Sequence, residues 1–255
     1  MKKTLIALCT ASFLSSTAYA DTIGLYAGAQ VWKSDADGLF GEQNQQVDFN
    51  LETNTKGSYF VALEHPLPFL PNIKIASTNL DTNGLKVLAD DFTFGGVTFP
   101  AGSSAASTLN ISYIDYTLYY ELFDNDLLTF DFGLTVRDID ADIRVDATTT
   151  IAGTTVSSSS SLAGSAYVPM AYAAFIFGIP STDFNVFAEG NFLSFDGQTL
   201  YDYQAGVSYE LVDNLAVDVN LTVGYRAVKL ELDDIDNLYT NLDYTGAFAG
   251  VIVHF

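Results

Sequence analysis

The feature that most constrains this chain is a two-residue alternation of apolar and polar side chains that returns in segment after segment. Alternation with period two is the pattern of a β-strand, because successive side chains point to opposite faces. The clearest segments lie at residues 128–136, 201–209 and 247–255, and each carries about five apolar positions on one face. A stripe of that length corresponds to roughly 9–11 residues, enough for a tilted strand to cross a bilayer. The chain is therefore predicted to be all-β, with strands of membrane-spanning length.

The links between the alternating segments are short and long in turn. Short links lie near residues 66–72, 123–126, 178–183 and 212–214; longer links run through 33–54, 83–107 and about 140–163; two more, near 195–199 and 233–240, are brief. Short turns at one end and longer loops at the other are typical of a membrane barrel, and closure is required because an open sheet edge has no water to bond in lipid. We predict a transmembrane antiparallel β-barrel of ten strands, with short periplasmic turns and longer extracellular loops. Eight strands are the alternative if one weak hairpin does not form.

The N-terminus has the pattern of an export signal. Lys2 and Lys3 precede an apolar run, which ends in the small-residue sequence Ala18-Tyr19-Ala20. A charged start, an apolar centre and an A-x-A site predict a cleaved signal peptide over residues 1–20. Residues 21–255 then form one barrel domain. The single cysteine, Cys9, lies in the signal peptide, so we expect no disulfide in the mature chain.

The formal net charge of −21 limits the possible partners. So acidic a chain is not expected to bind nucleic acid, because phosphate repels it. Contact with lipopolysaccharide would need divalent cations between the two sets of anions. No cofactor motif is present, so no cofactor is predicted.

The chain resembles small outer-membrane β-barrel proteins of Gram-negative bacteria that have no assigned activity. The resemblance covers the chain from Asp21 and lies in Ala18-Tyr19-Ala20 before a first strand at 23–32 and in a last strand that ends at Phe255. It implies location in the outer membrane and insertion by the barrel-assembly machinery, which recognises the final strand. Phe255, Val253 and Val251 are the predicted assembly signal.

Histidine is the residue type that bears on enzyme hypotheses. Outer-membrane barrel proteases and lipid A deacylases place a catalytic histidine near the outer rim. This chain has only His65 and His254, and both are predicted at the periplasmic rim. Neither can then serve as the general base, so we predict that the protein is not an enzyme.

Charged residues on the polar faces are predicted to lie in the lumen, where two arrangements remain open. They pair across strands and plug the barrel, or they line a narrow pore that prefers cations, as rings of acids do. The predicted lumen residues are Asp115, Glu121, Asp131, Arg137, Glu189, Asp202, Asp218 and Arg226, with Glu64 and Glu210 as further members.

Two outward features complete the prediction. Asp138, Asp140 and Asp142 continue the outward face of one strand beyond the membrane and are a weak candidate for divalent cations. Trp32 ends the first apolar stripe and is interpreted as an interfacial residue.

The leading interpretation is a non-enzymatic integral outer-membrane barrel with a structural or surface-interaction role. The alternatives are a narrow cation-preferring diffusion channel and a soluble periplasmic barrel that binds an apolar ligand.

Overall fold

The structure, a computed structural model, describes residues 23–43, 45–67, 69–125, 127–195, 197–214, 216–235 and 237–255. The predicted signal peptide at residues 1–20 lies outside the described residues. No helix in the described ranges has the length and apolar character needed to cross a membrane. The strands are β1 (Gly24–Glu42), β2 (Gln45–Asp48), β3 (Asn54–Glu64), β4 (Asn72–Asn79), β5 (Thr82–Val87), β6 (Phe92–Phe94), β7 (Val97–Phe99), β8 (Ser104–Asn125), β9 (Leu128–Ile151), β10 (Thr154–Gly178), β11 (Phe184–Phe195), β12 (Gln198–Val212), β13 (Asp218–Ile235) and β14 (Leu238–His254).

The long strands form a closed antiparallel ring, which confirms the predicted fold class. The order is β1, β3, β4, β8, β9, β10, β11, β12, β13 and β14, and β14 pairs again with β1. This path passes through ten strands, in agreement with the predicted count. Towards one end β2 adds to β1, and β5 pairs with β8 beyond β4. Strands β6 and β7 form a separate two-stranded sheet.

The period-two pattern divides each strand between an outer and an inner face. On β9, Phe132, Leu134 and Val136 are exposed on the outside, while Asp131 and Arg137 are buried inside. Apolar side chains of this kind form a belt around the ring, of the kind that faces lipid in membrane barrels. Outward tyrosines mark one border of the belt, where their polar ends favour an interface. These tyrosines are Tyr59, Tyr116, Tyr167, Tyr203 and Tyr225.

The two ends of the ring differ. The predicted short links all lie at one end, here called the turn end, and both histidines lie there as predicted: His65 follows β3, and His254 ends β14. At the opposite end, here called the loop end, β8, β9 and β10 are 22, 24 and 25 residues long and rise far beyond the tyrosines.

The β9–β10 connection corrects one prediction. Residues from about 140 to 163 were predicted as one of the longer links between strands, but they extend β9 and β10 as a paired ladder closed by a two-residue turn at Ala152 and Gly153. Their φ angles of 50° and 84° fit the type I′ turn that favours hairpins. The serine tract pairs with the threonine tract, with Ser157 opposite Thr148. Threonine and valine favour strands, and this explains why a polar segment forms a ladder here.

The last strand closes the ring at the predicted signal residues. The Phe255 amide donates to the Leu25 carbonyl at 2.9 Å, and the Leu25 amide donates back at 3.2 Å. Phe255, Val253 and Val251 share the outward face of the strand, and His254 faces inward.

We expect Phe255→Ala to reduce the stability of the folded barrel by about 1–2 kcal/mol, because the lost ring no longer covers apolar surface at the seam between β14 and β1. The measurement is the folded fraction, seen as a heat-modifiable gel shift, across a urea titration in lipid vesicles. Phe69→Ala is the matched control, since Phe69 is 91% exposed in a turn. An equal effect of the two substitutions would contradict a specific role for the terminal ring.

Candidate functional site

The centre of the lumen holds a buried bidentate ion pair. Arg137 on β9 stands directly opposite Asp115 on β8. Its Nε and Nη2 donate to the two Asp115 carboxylate oxygens, each at 2.7 Å. The arginine is fully buried and the aspartate nearly so. Fork-to-fork pairs of this kind combine strong charge-assisted bonds with fixed geometry.

A second carboxylate joins this pair to another arginine. Asp202 on β12 accepts from Arg137 Nη2 at 2.9 Å and from Arg226 Nη2 on β13 at 2.7 Å. The Tyr113 hydroxyl donates to the same oxygen at 2.6 Å, and its ring lies 3.6 Å from the Arg137 Cζ. The two arginines and two aspartates therefore form one network, which we call the central network.

The central network reaches the opposite wall of the barrel through Arg226. Its Nη1 donates to Ser58 Oγ on β3, and its Nη2 donates to Thr78 Oγ1 on β4, both at 3.1 Å. In the ring of ten strands, β4 is four places from β13, which carries Arg226, and five places from β12, which carries Asp202. The bonds therefore cross the lumen rather than line its wall, and they fill the space that a pore would need.

A second polar layer lies on the turn-end side of the central network. Lys74 Nζ on β4 donates to Glu189 Oε2 on β11 at 2.6 Å. Gln204 donates to the other Glu189 oxygen at 2.7 Å and accepts from Gln30 at 3.1 Å. Lys74 also lies 4.5 Å above the Phe60 ring. Sequence reasoning missed Lys74, although it alternates with the apolar Ile73 and Ile75, and this parity could have placed it in the lumen.

The remaining predicted lumen residues lie nearer the turn end and do not join the central network. Glu64 accepts from the Tyr119 hydroxyl at 2.7 Å. Asp131 is 8% exposed, and its Oδ1 has no hydrogen-bond partner among the residues that the structure describes. Asp218 lies 3.0 Å from His254 Nδ1, and the His254 ring stacks on Tyr26 with centroids 4.1 Å apart. Glu121 and Glu210 also lie on strands at this end.

An apolar core fills the barrel on the loop-end side of the central network. Trp32 belongs to it: the side chain is 1% exposed, and its ring lies 5.1 Å from the Arg226 Cζ. The prediction that Trp32 lies at the lipid interface was therefore wrong. Its neighbour Val31 faces outward, so parity turns Trp32 inward. Other members of the core are Leu109, Ile143, Leu200, Leu242 and Tyr244.

Five buried phenylalanines close the loop end, and we call them the phenylalanine plug: Phe40, Phe49, Phe92, Phe94 and Phe99. Three of them come from the β6–β7 hairpin, which lies in a segment predicted only as a long connection. Phe40 stacks on Phe49 with centroids 4.7 Å apart, and Phe94 meets Phe40 edge-on at 5.9 Å.

The plug hairpin is held from both sides of the mouth. The Gly95 amide donates to Oε1 of Glu42, the last residue of β1, at 2.7 Å, and Ser160 Oγ on β10 donates to the Gly95 carbonyl at 3.2 Å. Strands β1 and β10 are five places apart in a ring of ten, so they lie on opposite walls. The hairpin thus bridges the mouth and covers the apolar core.

The outward acids form a row rather than a cluster. Asp138, Asp140 and Asp142 occupy alternate positions on the outer face of β9, with Asp138 opposite Tyr167 and the other two further towards the loop end. Further up the same face, Arg144 Nε lies 2.8 Å from Asp146 Oδ2. Across the described ranges, no three His, Cys, Asp or Glu side chains are grouped to hold a metal ion. The structure therefore does not support Asp138, Asp140 and Asp142 as a metal site.

Comparisons with known proteins support the fold and do not identify the chain. No family model and no curated protein matches the sequence. Among solved structures, the outer-membrane protease OmpT from Escherichia coli is similar with a TM-score of 0.50 at 11% identity, covering 93% of this chain and 99% of that one. The transport unit of the autotransporter AIDA-I from Escherichia coli aligns with a TM-score of 0.42 at 8% identity, over 98% of this chain and 95% of the other. The likeness to OmpT concerns the fold, which is that of a Gram-negative outer-membrane barrel.

Proposed function

We propose that this chain is an integral barrel of the Gram-negative outer membrane that is closed to solutes and serves surface interactions through its loop end. The observation that carries the proposal is the double closure of the lumen. The central network joins opposite walls at the level of the outward tyrosines, and the phenylalanine plug bridges the mouth beyond it. What remains available for interaction is the tall sheet of β8, β9 and β10.

The outer surface supports the proposed location. The apolar belt would face lipid, and the tyrosines would lie at the outer interface. Opposite Tyr167 the outer face of β9 becomes acidic at Asp138 and stays acidic at Asp140 and Asp142. Charged side chains on this face would be costly within the lipid, so the membrane would end near the tyrosines. Short turns are periplasmic in barrels of this kind, so the loop end would face outside the cell.

The geometry favours a closed barrel over the narrow cation channel. A pore lined by acids needs carboxylates that face open water. Here Asp115 and Asp202 are buried and engaged by arginines. Opening a path would break charge-assisted bonds and leave charges unpaired, which is costly in a buried setting.

We further propose a role without catalysis. OmpT is a protease, but its likeness to this chain at 11% identity concerns the fold. Both histidines of this chain lie at the turn end, His254 beside Asp218 and His65 beside the Asn72 side chain. At the loop end, serine and threonine hydroxyls therefore have no histidine base to activate them.

The proposed partners follow from the same arrangement. We propose that Phe255, Val253 and Val251 are the strand recognised by the barrel-assembly machinery. Asp138, Asp140 and Asp142 would lie beside lipopolysaccharide phosphates, and divalent cations from solution would neutralise the two sets of anions. Removal of such cations by a chelator tests this contact. Lipopolysaccharide held beside the barrel through the cations should become more mobile when they are removed.

Planar-bilayer recording tests the proposed closure. We expect the refolded protein to give no stepwise conductance at high salt, because paired charges and packed rings fill the lumen. Insertion is verified in the same preparation by the heat-modifiable gel shift. Regular conductance steps with cation preference would overturn the proposal and favour the channel alternative.

A further inference from the structure

Strand β10 flanks the tall sheet and has a free edge towards the loop end. Strand β10 pairs with β9 along its whole length but with β11 only over residues 171–178. Within the described part of the chain, no strand pairs with the other edge of residues 154–170. A strand edge of this length presents a row of unpaired amides and carbonyls.

The hairpin register identifies which backbone groups point to this edge. A two-residue turn closes with a hydrogen-bonded pair, so Thr154 directs its amide and carbonyl to Ile151 on β9. The ladder continues to the turn end without a register shift. Even-numbered residues of β10 therefore bond to β9, and odd-numbered ones, such as Ala163 and Ser165, point to the free edge.

Pro169 agrees with this assignment and explains where the edge ends. It is odd-numbered, so its missing N–H falls on the free side, which is where a strand tolerates proline. Pairing with β11 begins two residues later, at Ala171. The free part of the strand before Pro169, residues 154–168, contains no charged side chain and no proline of the kind that usually protects an edge.

The neighbouring strand supplies charge beside the edge. Asp140 and Asp142 on β9 stand opposite Ser165 and Ala163 on β10, and all four side chains face outward. No ion pair among the described residues involves Asp138, Asp140 or Asp142, whereas Arg144 is engaged by Asp146. Small side chains on β10 thus separate the free edge from a row of unpaired acids.

We propose that the free edge of β10 binds an extended segment of a partner polypeptide as an added strand, with lysine or arginine at alternate positions. The backbone groups of Ala163 and Ser165 would pair with the segment. Its outward cations would lie two strand spacings, or about 10 Å, from the β9 acids. Long basic side chains would cross the small Ala163 and Ser165 to reach Asp142 and Asp140. The proposal deepens the proposed surface-interaction role and rests on it.

A second copy of this chain fits the edge less well. In one membrane, the β10 strands of two copies run in the same direction, so the two copies would be related by a two-fold axis parallel to these strands. This rotation turns the sheet over. The outer face of one copy would therefore continue as the inner face of the other. Each copy would also bring its own acids, and residues 154–168 offer no cation in exchange. An external basic segment complements the negative charge of the site, whereas a second copy does not.

The experiment measures peptide binding to the full refolded protein in detergent micelles by fluorescence anisotropy. The probe is a labelled peptide of alternating threonine and lysine. Its counterparts replace lysine by glutamate, which reverses the charge, or threonine by proline, which keeps the charge and blocks strand pairing. We expect the Thr-Lys peptide to bind and both counterparts to bind at least about tenfold more weakly.

Protein variants separate backbone pairing from charge. Ser165→Pro removes an edge amide without touching the β9 ladder and is expected to weaken binding about tenfold relative to Ser165→Thr. Ala163→Lys, which places a cation beside Asp142, is a second edge variant and is expected to do the same. Asp140→Asn and Asp142→Asn are each expected to weaken binding about threefold, whereas Glu231→Gln, an outward acid on β13, leaves it unchanged.

Three outcomes overturn the inference. Equal binding of the Thr-Lys and Pro-Lys peptides would show simple charge attraction. Unchanged affinity in both Ser165→Pro and Ala163→Lys would place the contact elsewhere. Self-association of the protein alone, seen by sedimentation and abolished by Ala163→Lys, would make a second copy the occupant. Bilayer conductance does not depend on any of these three outcomes, so failure of the closed-barrel proposal can be distinguished from failure of the strand-addition inference.

Discussion

Replacing Arg137 by alanine is expected to destabilise the barrel by about 3–5 kcal/mol, because it leaves a buried aspartate without its counter-charge. Arg137 makes both hydrogen bonds of the bidentate pair with Asp115 and a third bond to Asp202. Without the arginine, Asp115 keeps a single long contact, from Asn191 Nδ2 at 3.4 Å. Asp202 retains Arg226 and should be less affected. The cost is therefore dominated by one unpaired carboxylate.

The measurement is the free energy of unfolding in lipid vesicles from a urea titration that is reversible. Arg144→Ala is the matched control, since Arg144 lies on the same strand and also pairs with an aspartate but is half exposed. Exposed pairs contribute at most about 1 kcal/mol. If the two alanine variants lost the same free energy of unfolding, the central network would stabilise the barrel no more than an exposed ion pair does.

A double substitution separates lost charge pairing from lost volume. Arg137→Met with Asp115→Leu removes both partners and fills the space with apolar atoms. Buried ion pairs are often replaced in this way at little cost. We expect the double variant to recover most of the stability that Arg137→Ala loses. Failure to recover would indicate that Asp202 needs both arginines, since it bonds to each of them.

The sequence predicted the faces of the strands because parity is a local property. Asp115, Arg137, Asp202 and Arg226 were placed in the lumen by alternation alone, and the structure puts them there. Which of them meet was not predictable, because contacts across a lumen depend on the stagger of the whole ring. The same stagger brings Glu189 to Lys74, a contact that the parity of either strand could not predict.

Segments outside the belt were predicted least well, for a related reason. The serine and threonine tracts of β9 and β10 look like a flexible loop when each is considered alone. Opposite each other in register they form a ladder, since β-propensity depends on the partner strand. Phe92, Phe94 and Phe99 were likewise passed over inside a long connection. Their role comes from Phe40 and Phe49, which lie far from them in sequence and close to them in space.

Replacing Phe94 by alanine is expected to release the plug hairpin while the barrel stays folded. Phe94 is fully buried and touches Phe40 and Phe92. Among the strands of the described ranges, β6 and β7 pair only with each other, and an isolated two-stranded hairpin is marginal in water. Side-chain packing and a few hydrogen bonds therefore hold it in the mouth. Removing a large buried ring costs about 3–5 kcal/mol, which should act on this local docking step.

Limited proteolysis of the intact protein in micelles measures the opening. Cleavage in the Gly95–Gly96 turn follows the population of the released hairpin when opening is fast, so a loss of about 3 kcal/mol should raise the cleavage rate about 100-fold. Phe195→Ala is the control, because Phe195 lies at the same end and is 74% exposed. The heat-modifiable gel shift should stay unchanged in both variants. Loss of that shift in Phe94→Ala would mean that the plug is part of the cooperative unit of the barrel. An unchanged cleavage rate would mean that Glu42 and Ser160 hold the hairpin without the rings.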